Sequence, residues 1–250
     1  MGGSLEGPRL KLGRAWKHLE DLECAVSVFI KTQKEKVTVE HESETGYRIW
    51  VIAEPDQPDV TWSLLIGDIL FNLRSALDYL AWQLVEANGK NPNTTGTGFP
   101  LFDDISLFVE KGLPMIRGMS PVVQTAIEAA QPYHRPSPKY RTDSLLLLNR
   151  LSNVYKHRHF KLTLLSIKGG GGYELPKDFE PWFGPVEGRA VLAAWKVSNP
   201  DVQVDYTPFF DVTFAETPWG DEFVLETLRR LMAATVDVVT DLGKVGGLAP

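Results

Sequence analysis

Apolar residues along this chain fall into three kinds of pattern, and each predicts a different element. From Leu64 to Val85 they crowd more than one stripe of a helix: Leu65, Ile69, Leu70, Leu73, Ala76, Leu77, Leu80, Ala81 and Leu84. No proline interrupts the run, and Asn88-Gly89 supplies a stop just beyond it. A helix apolar over so much of its circumference is expected to be buried, with other elements packed around it. From Pro8 to about Gln33, Leu12, Ala15, Leu19, Leu22, Val26 and Phe29 recur at alternating three- and four-residue steps, the single seam of an amphipathic helix. The third pattern is strict alternation. Lys36 to Glu42 and Tyr47 to Ala53 are β-branched and aromatic runs joined by Ser43-Glu-Thr-Gly46, which predicts a β-hairpin.

The rest of the chain repeats these patterns. Pro55-Asp-Gln-Pro58 turns the chain toward the central helix, and Asn88 to Gly98 reads as a polar loop. Phe99-Pro-Leu-Phe-Asp103 reads as an extended segment pinned by its two phenylalanines, followed by a short helix at Ile105 to Lys111. Ser120-Pro121 is expected to cap a helix running to Ala130, which Gln131 to Pro138 ends, and Asp143 to cap another from Ser144 to His157. Lys161 to Ile167, Arg189 to Val197 and Val202 to Phe214 read as strands, with Pro208 marking a break, a bulge or an edge. Four glycines, Gly169 to Gly172, suggest a hairpin loop rather than a phosphate loop, because no Lys-Ser/Thr follows them. Asn199-Pro-Asp201 reads as a turn. A last helix, from Trp219-Gly220-Asp221 to Leu242, carries Val224, Leu228, Leu231, Thr235, Val238 and Leu242 on one face, with a frayed tail behind it. The expected fold is therefore α+β and helix-dominated, with a buried central helix at 64–85, an N-terminal hairpin and antiparallel strands in the C-terminal half. No repeat or linker divides the chain, so one domain is expected, with a soft boundary near Phe160.

Composition narrows the function classes. A net charge of −6 over 250 residues argues against general affinity for nucleic acid or anionic membranes. The one cysteine, Cys24, rules out an intramolecular disulfide and a multi-cysteine metal site, and its apolar surroundings predict a packed thiol. The first residues lack the apolar core of a signal peptide. The central helix is long enough to span a bilayer, but Asp68, Arg74 and Asp78 would be expensive in lipid. A cytoplasmic protein with no membrane association is expected.

Those charges are the chemical clue, because buried charge is tolerated only when paired. Arg74 and Asp78 stand four apart on one face, with Asp68, Asn72, Ser75 and Tyr79 beside them. Asn149, Asn153 and His157 recur at i, i+4 and i+8, with Arg150 alongside and Lys156-His157-Arg158-His159 at the exit. If the two helices face each other, Asp68 or Asp78 meets that basic cluster. The set then reads either as an ion-pair network fixing helix packing or as an anion site, with Asp68, Asn72, Asp78, Asn153, Lys156 and Arg158 as ligand-binding candidates. A catalytic version uses Arg74, Arg150 and His157, since imidazole exchanges protons near neutrality and guanidinium grips phosphate. Spacings for metal binding, a nucleophile elbow and cofactor motifs are lacking, so no metal or cofactor is expected.

The stretch Leu65-Ile-Gly-Asp-Ile-Leu-Phe-Asn-Leu-Arg-Ser-Ala-Leu-Asp-Tyr-Leu-Ala-Trp-Gln-Leu resembles a group of uncharacterised bacterial and phage proteins common in actinobacteria. So do Phe99-Pro-Leu-Phe, Arg117-Gly-Met-Ser-Pro, Gln131-Pro-Tyr and Leu151-Ser-Asn-Val-Tyr-Lys-His-Arg. The group brings no activity with it. A weaker similarity is to the HEPN helical domains, many of them metal-independent ribonucleases whose motif is an arginine, four to six residues and a histidine. It implies RNA as substrate and a homodimer joining two copies of the motif. Arg150-x6-His157 keeps that spacing, whereas Tyr79, Phe71 and Tyr155 stand where relatives of this chain carry histidine, histidine and aspartate. Two readings follow: a non-enzymatic interaction protein with a structural or anion-binding network, and a HEPN-like ribonuclease of a defence system.

Overall fold

A computed structural model describes residues 3–134, 143–167, 178–182, 184–197, 206–215 and 222–250. In chain order the elements are α1 (Glu6–Glu35), β1 (Val37–Glu42), β2 (Tyr47–Ile52) and α2 (Trp62–Ala87). A helical run follows, from α3 (Ile105–Leu107) through a π-turn (Phe108–Gly112) into α4 (Leu113–Ile116). Then come α5 (Pro121–Ala129), α6 (Ser144–Tyr155), β3 (Leu162–Ile167), β4 (Phe179–Pro181), β5 (Gly184–Pro185), β6 (Ala190–Lys196), β7 (Phe209–Phe214) and α7 (Val224–Val245). The fold is α+β, with the expected hairpin and antiparallel sheets. The glycine run 169–172, the turn at 199–201 and the Trp219-Gly220-Asp221 helix start lie outside the described residues.

The chain forms two compact units, one of Met1–Asp21, Leu64–His159 and Glu226–Pro250, the other of Leu22–Ser63 and Phe160–Leu225. In the first, α2 is the buried element: Ile66, Ile69, Leu70, Leu73, Leu77 and Leu80 are among the largest fully buried side chains. Its polar residues break the expectation of uniform burial, since Asp68 is exposed while Asn72 is buried and bonds its own helix at Asp68 O, 2.8 Å away. Asp143 caps α6 as expected, accepting from Leu146 N at 2.8 Å. Ser120 precedes α5 with Pro121 in the first turn, but its hydroxyl makes no capping bond. The run from Ile105 continues past the expected end at Lys111: Leu113 N bonds Phe108 O across the π-turn, and Pro114 follows at the start of α4.

The frayed tail is corrected. Gly247 adopts φ +65°, with Leu248 N bonded to Gly243 O and Gly247 N to Lys244 O, so a left-handed C-cap ends α7. Beyond it Leu248 is buried, and Ala249 exchanges backbone bonds with Gly3 and Leu5 in a short parallel bridge next to Ser4. Terminal backbone that finds partners of this kind is held rather than loose.

The second unit contains two antiparallel sheets, ordered β1-β2-β6-β4 and β5-β3-β7. One apolar cluster draws on both, from Trp50, Ile52, Leu192 and Trp195 to Leu164 and Phe210. Strand β1 is a charged, exposed edge, a form that resists unwanted pairing. Pro208 immediately precedes β7, also an edge strand, where its missing N–H interrupts no ladder. Cys24 is exposed rather than packed, because two residues beyond Leu22 it has rotated off the buried seam of α1.

Candidate functional site

Two polar assemblies surround α2 in the first unit, and they account for its charges differently. The first holds the extended segment 99–102. Phe99 and Leu101 are buried there, so the backbone between helices needs partners. Asp78 Oδ1 accepts from Phe99 N at 2.9 Å, and Arg74 Nη2 donates to Phe99 O. Gln131, itself fully buried, accepts from Phe102 N at 3.1 Å and donates to Pro100 O at 3.0 Å. Asn149 Nδ2 reaches Leu101 O at 3.3 Å. Side chains of three helical regions thus replace the sheet or helix partners that this segment lacks.

The second assembly is a cleft of about 640 Å³ between α2 and the C-terminal end of α6. Helix α2 contributes Gly67, Asp68, Leu70, Phe71 and Arg74, four of them at i, i+3, i+4 and i+7 of one face. Helix α6 contributes Ser152 and Tyr155, and the turn after it contributes Lys156, His157, Arg158 and His159. A Cβ on Gly67 would collide with the Tyr155 ring, so this glycine is what lets the ring lie against α2. Helix α6 ends at Tyr155, two residues before the expected limit. His157 therefore leaves the Asn149–Asn153 row, and the four basic residues fan out along an exposed turn.

Electrostatically the cleft opposes the chain as a whole. Three permanent cations, Arg74, Lys156 and Arg158, line it against one carboxylate, Asp68. The Arg74 side chain is 23% exposed and its Nη2 lies 3.5 Å from Asp78 Oδ1. Burial pulls its pKa below the usual guanidinium value while Asp78 pushes it back. Arg74 Nη1 and Ser152 Oγ are both buried with no hydrogen-bond partner among the described residues. Such atoms are costly to leave unpaired.

Of the nine residues singled out by sequence, the cleft gathers Arg74, Asp68, Lys156, His157 and Arg158. The other four lie elsewhere. Asp78 holds Phe99, Asn72 bonds its own helix, and Asn153 is exposed and accepts from Lys156 Nζ at 3.2 Å. Arg150 pairs with Asp103 at 2.9 Å and does not line the cleft. Asp68 lines the same cleft as the basic turn, and Arg74 pairs within α2 with Asp78. Gly67, Phe71, Ser152 and Tyr155 were not foreseen as lining. The available signals were a lone glycine in a leucine-rich helix and a Ser–Tyr pair at i, i+3.

Among the described residues no group of three or more His, Cys, Asp or Glu is arranged to hold a metal ion. No described helix is long and apolar enough to cross a membrane. Compared with protein-family models, curated proteins and solved structures, the chain matches none.

Proposed function

We propose that this chain is a non-enzymatic interaction protein, of bacterial or phage origin by its resemblance, whose cleft on α2 binds a phosphate-bearing or similar oxoanionic ligand. One observation carries the reading: among the described residues buried Arg74 Nη1 has no hydrogen-bond partner, in a residue that lines the same cleft as Lys156 and Arg158. An oxoanion supplies the missing acceptor, and charge-assisted bonds of this kind are the stronger class. Calorimetric titration with inorganic phosphate and with sulfate, at constant ionic strength, tests it. Saturable binding is expected in the parent and at least about tenfold weaker in Lys156→Ala/Arg158→Ala, a loss of about 1.4 kcal/mol or more. A flat titration of the folded parent overturns it.

A second reading, a HEPN-like metal-independent ribonuclease, is favoured by Arg74 and His157 lining one open cleft. An imidazole for proton transfer and a guanidinium for phosphate are the groups such cleavage needs. Arg150, its third candidate, does not reach the cleft. RNA cleavage that persists in EDTA and vanishes in a folded His157→Ala variant would replace the first reading with this one. A homodimer through a helical face belongs to both, and sedimentation velocity at several concentrations measures it.

A further inference from the structure

The cations leave half of the cleft unexplained. Its α2 wall carries Phe71, a ring 63% exposed, one turn before Arg74. Residues three apart on a helix stand about 5–6 Å apart at Cβ, a span that a ribose bridges. The ring is fixed from outside the cleft: Lys11 Nζ lies 5.5 Å from its centroid and 5.4 Å from that of Tyr79, a cation held between two aromatic side chains. Opposite, Tyr155 lies against Gly67 and adds a second aromatic wall. Bare phosphate would use the cations and ignore both rings. A volume of about 640 Å³ is that of a small-molecule site rather than an extended groove.

We infer that the cleft takes a nucleoside monophosphate, its phosphate on Arg74, Ser152 and the Lys156–Arg158 turn and its base stacked on Phe71. This specification rests on the anion-binding reading above. The phosphate satisfies Arg74 Nη1 and Ser152 Oγ, both buried without partners among the described residues. The base covers an aromatic face that otherwise meets water. Stacking on one aromatic side chain tolerates any base, so purine identity is not what the cleft selects.

Calorimetry with inorganic phosphate, adenosine and adenosine 5′-monophosphate separates the parts. The nucleotide is expected to bind at least about tenfold more tightly than inorganic phosphate, from stacking on one ring. Phe71→Ala should erase that factor and leave phosphate affinity unchanged, and Phe71→Tyr should keep it; circular dichroism checks that both fold. Equal affinity for phosphate and nucleotide in the parent overturns the inference and leaves the anion reading intact. So does an advantage that survives Phe71→Ala. A short oligoribonucleotide that binds far more tightly than the mononucleotide overturns it in favour of a strand. If neither phosphate nor nucleotide binds, both readings fail together.

Discussion

The segment 99–102 and the cleft beside Phe71 draw on polar residues of the same helix, yet they end in opposite states. Around the segment, each polar side chain is spent: Asp78, Gln131 and Asn149 meet backbone groups that a buried, non-helical stretch cannot pair by itself. Around the cleft, Arg74 Nη1 and Ser152 Oγ go unpaired and three cations face one carboxylate. Arg74 belongs to both, with one nitrogen bonded to Phe99 O and the other buried and unpaired among the described residues. A charged residue in an apolar helix is therefore weak evidence for a site until its partners have been counted. What marks a site is the remainder after backbone demand has been met.

The comparison is broken most severely on the spent side. Gln131→Leu keeps the volume and removes both of Gln131's bonds to the segment, leaving buried Pro100 O and half-buried Phe102 N without that partner. With each buried unsatisfied group costing about 1–3 kcal/mol, a loss of about 3 kcal/mol is expected in urea unfolding. A variant as stable as the parent would mean that water replaces Gln131. Asp78→Ala comes next. It strands Phe99 N and removes the carboxylate facing Arg74, but Asp78 is 43% exposed, so the cost falls below that of a sealed ion pair. The expected loss is about 2 kcal/mol, and a loss near zero would show that the segment holds without its anchor on α2.

These roles explain how much of the molecule the sequence disclosed. Periodicity found α1, α2, α6 and β1–β2 because their apolar residues repeat at the spacing of the element itself. Strands β4 and β5 escaped, being three and two residues long and too short for any period. Cys24 was misplaced because apolar neighbours in sequence are not neighbours on a helix surface. The tail beyond Val245 was misjudged because its partners, Gly3 and Leu5, stand at the other end of the chain. The basic turn at 156–159 was legible as a cluster, but its separation from Arg150 and Asn153 depended on where α6 ends. Two residues of helix length decided which side chains share the cleft.

Gly67→Ala tests the wall between the two states. The new methyl displaces Tyr155, and misfit of this kind costs about 1–3 kcal/mol, against about 1 kcal/mol gained by removing glycine from a helix. A net loss of about 1 kcal/mol is expected in thermal or urea unfolding. Anion affinity should fall with it, because Tyr155 and Lys156 are consecutive where α6 opens onto the cleft. A variant with lowered stability and undisturbed phosphate binding would separate the Tyr155 wall from the site.

The smallest expected effect on stability is the most telling one. Lys156 and Arg158 are exposed, and among the described residues their side chains make one hydrogen bond, Lys156 Nζ to Asn153 Oδ1. Replacing both by alanine should therefore change unfolding free energy by no more than about 0.5 kcal/mol, the usual range for surface sites. Removing like charges from a crowded turn can even stabilise it slightly. If those cations were struts of helix packing, as a purely structural network requires, the double variant would lose as much stability as Asp78→Ala. If they are reserved for a ligand, stability stays level while phosphate affinity drops. The two measurements on one variant thus decide whether the cleft belongs with the spent residues or the unspent ones, and a double variant that is both destabilised and unchanged in affinity would move it to the spent side.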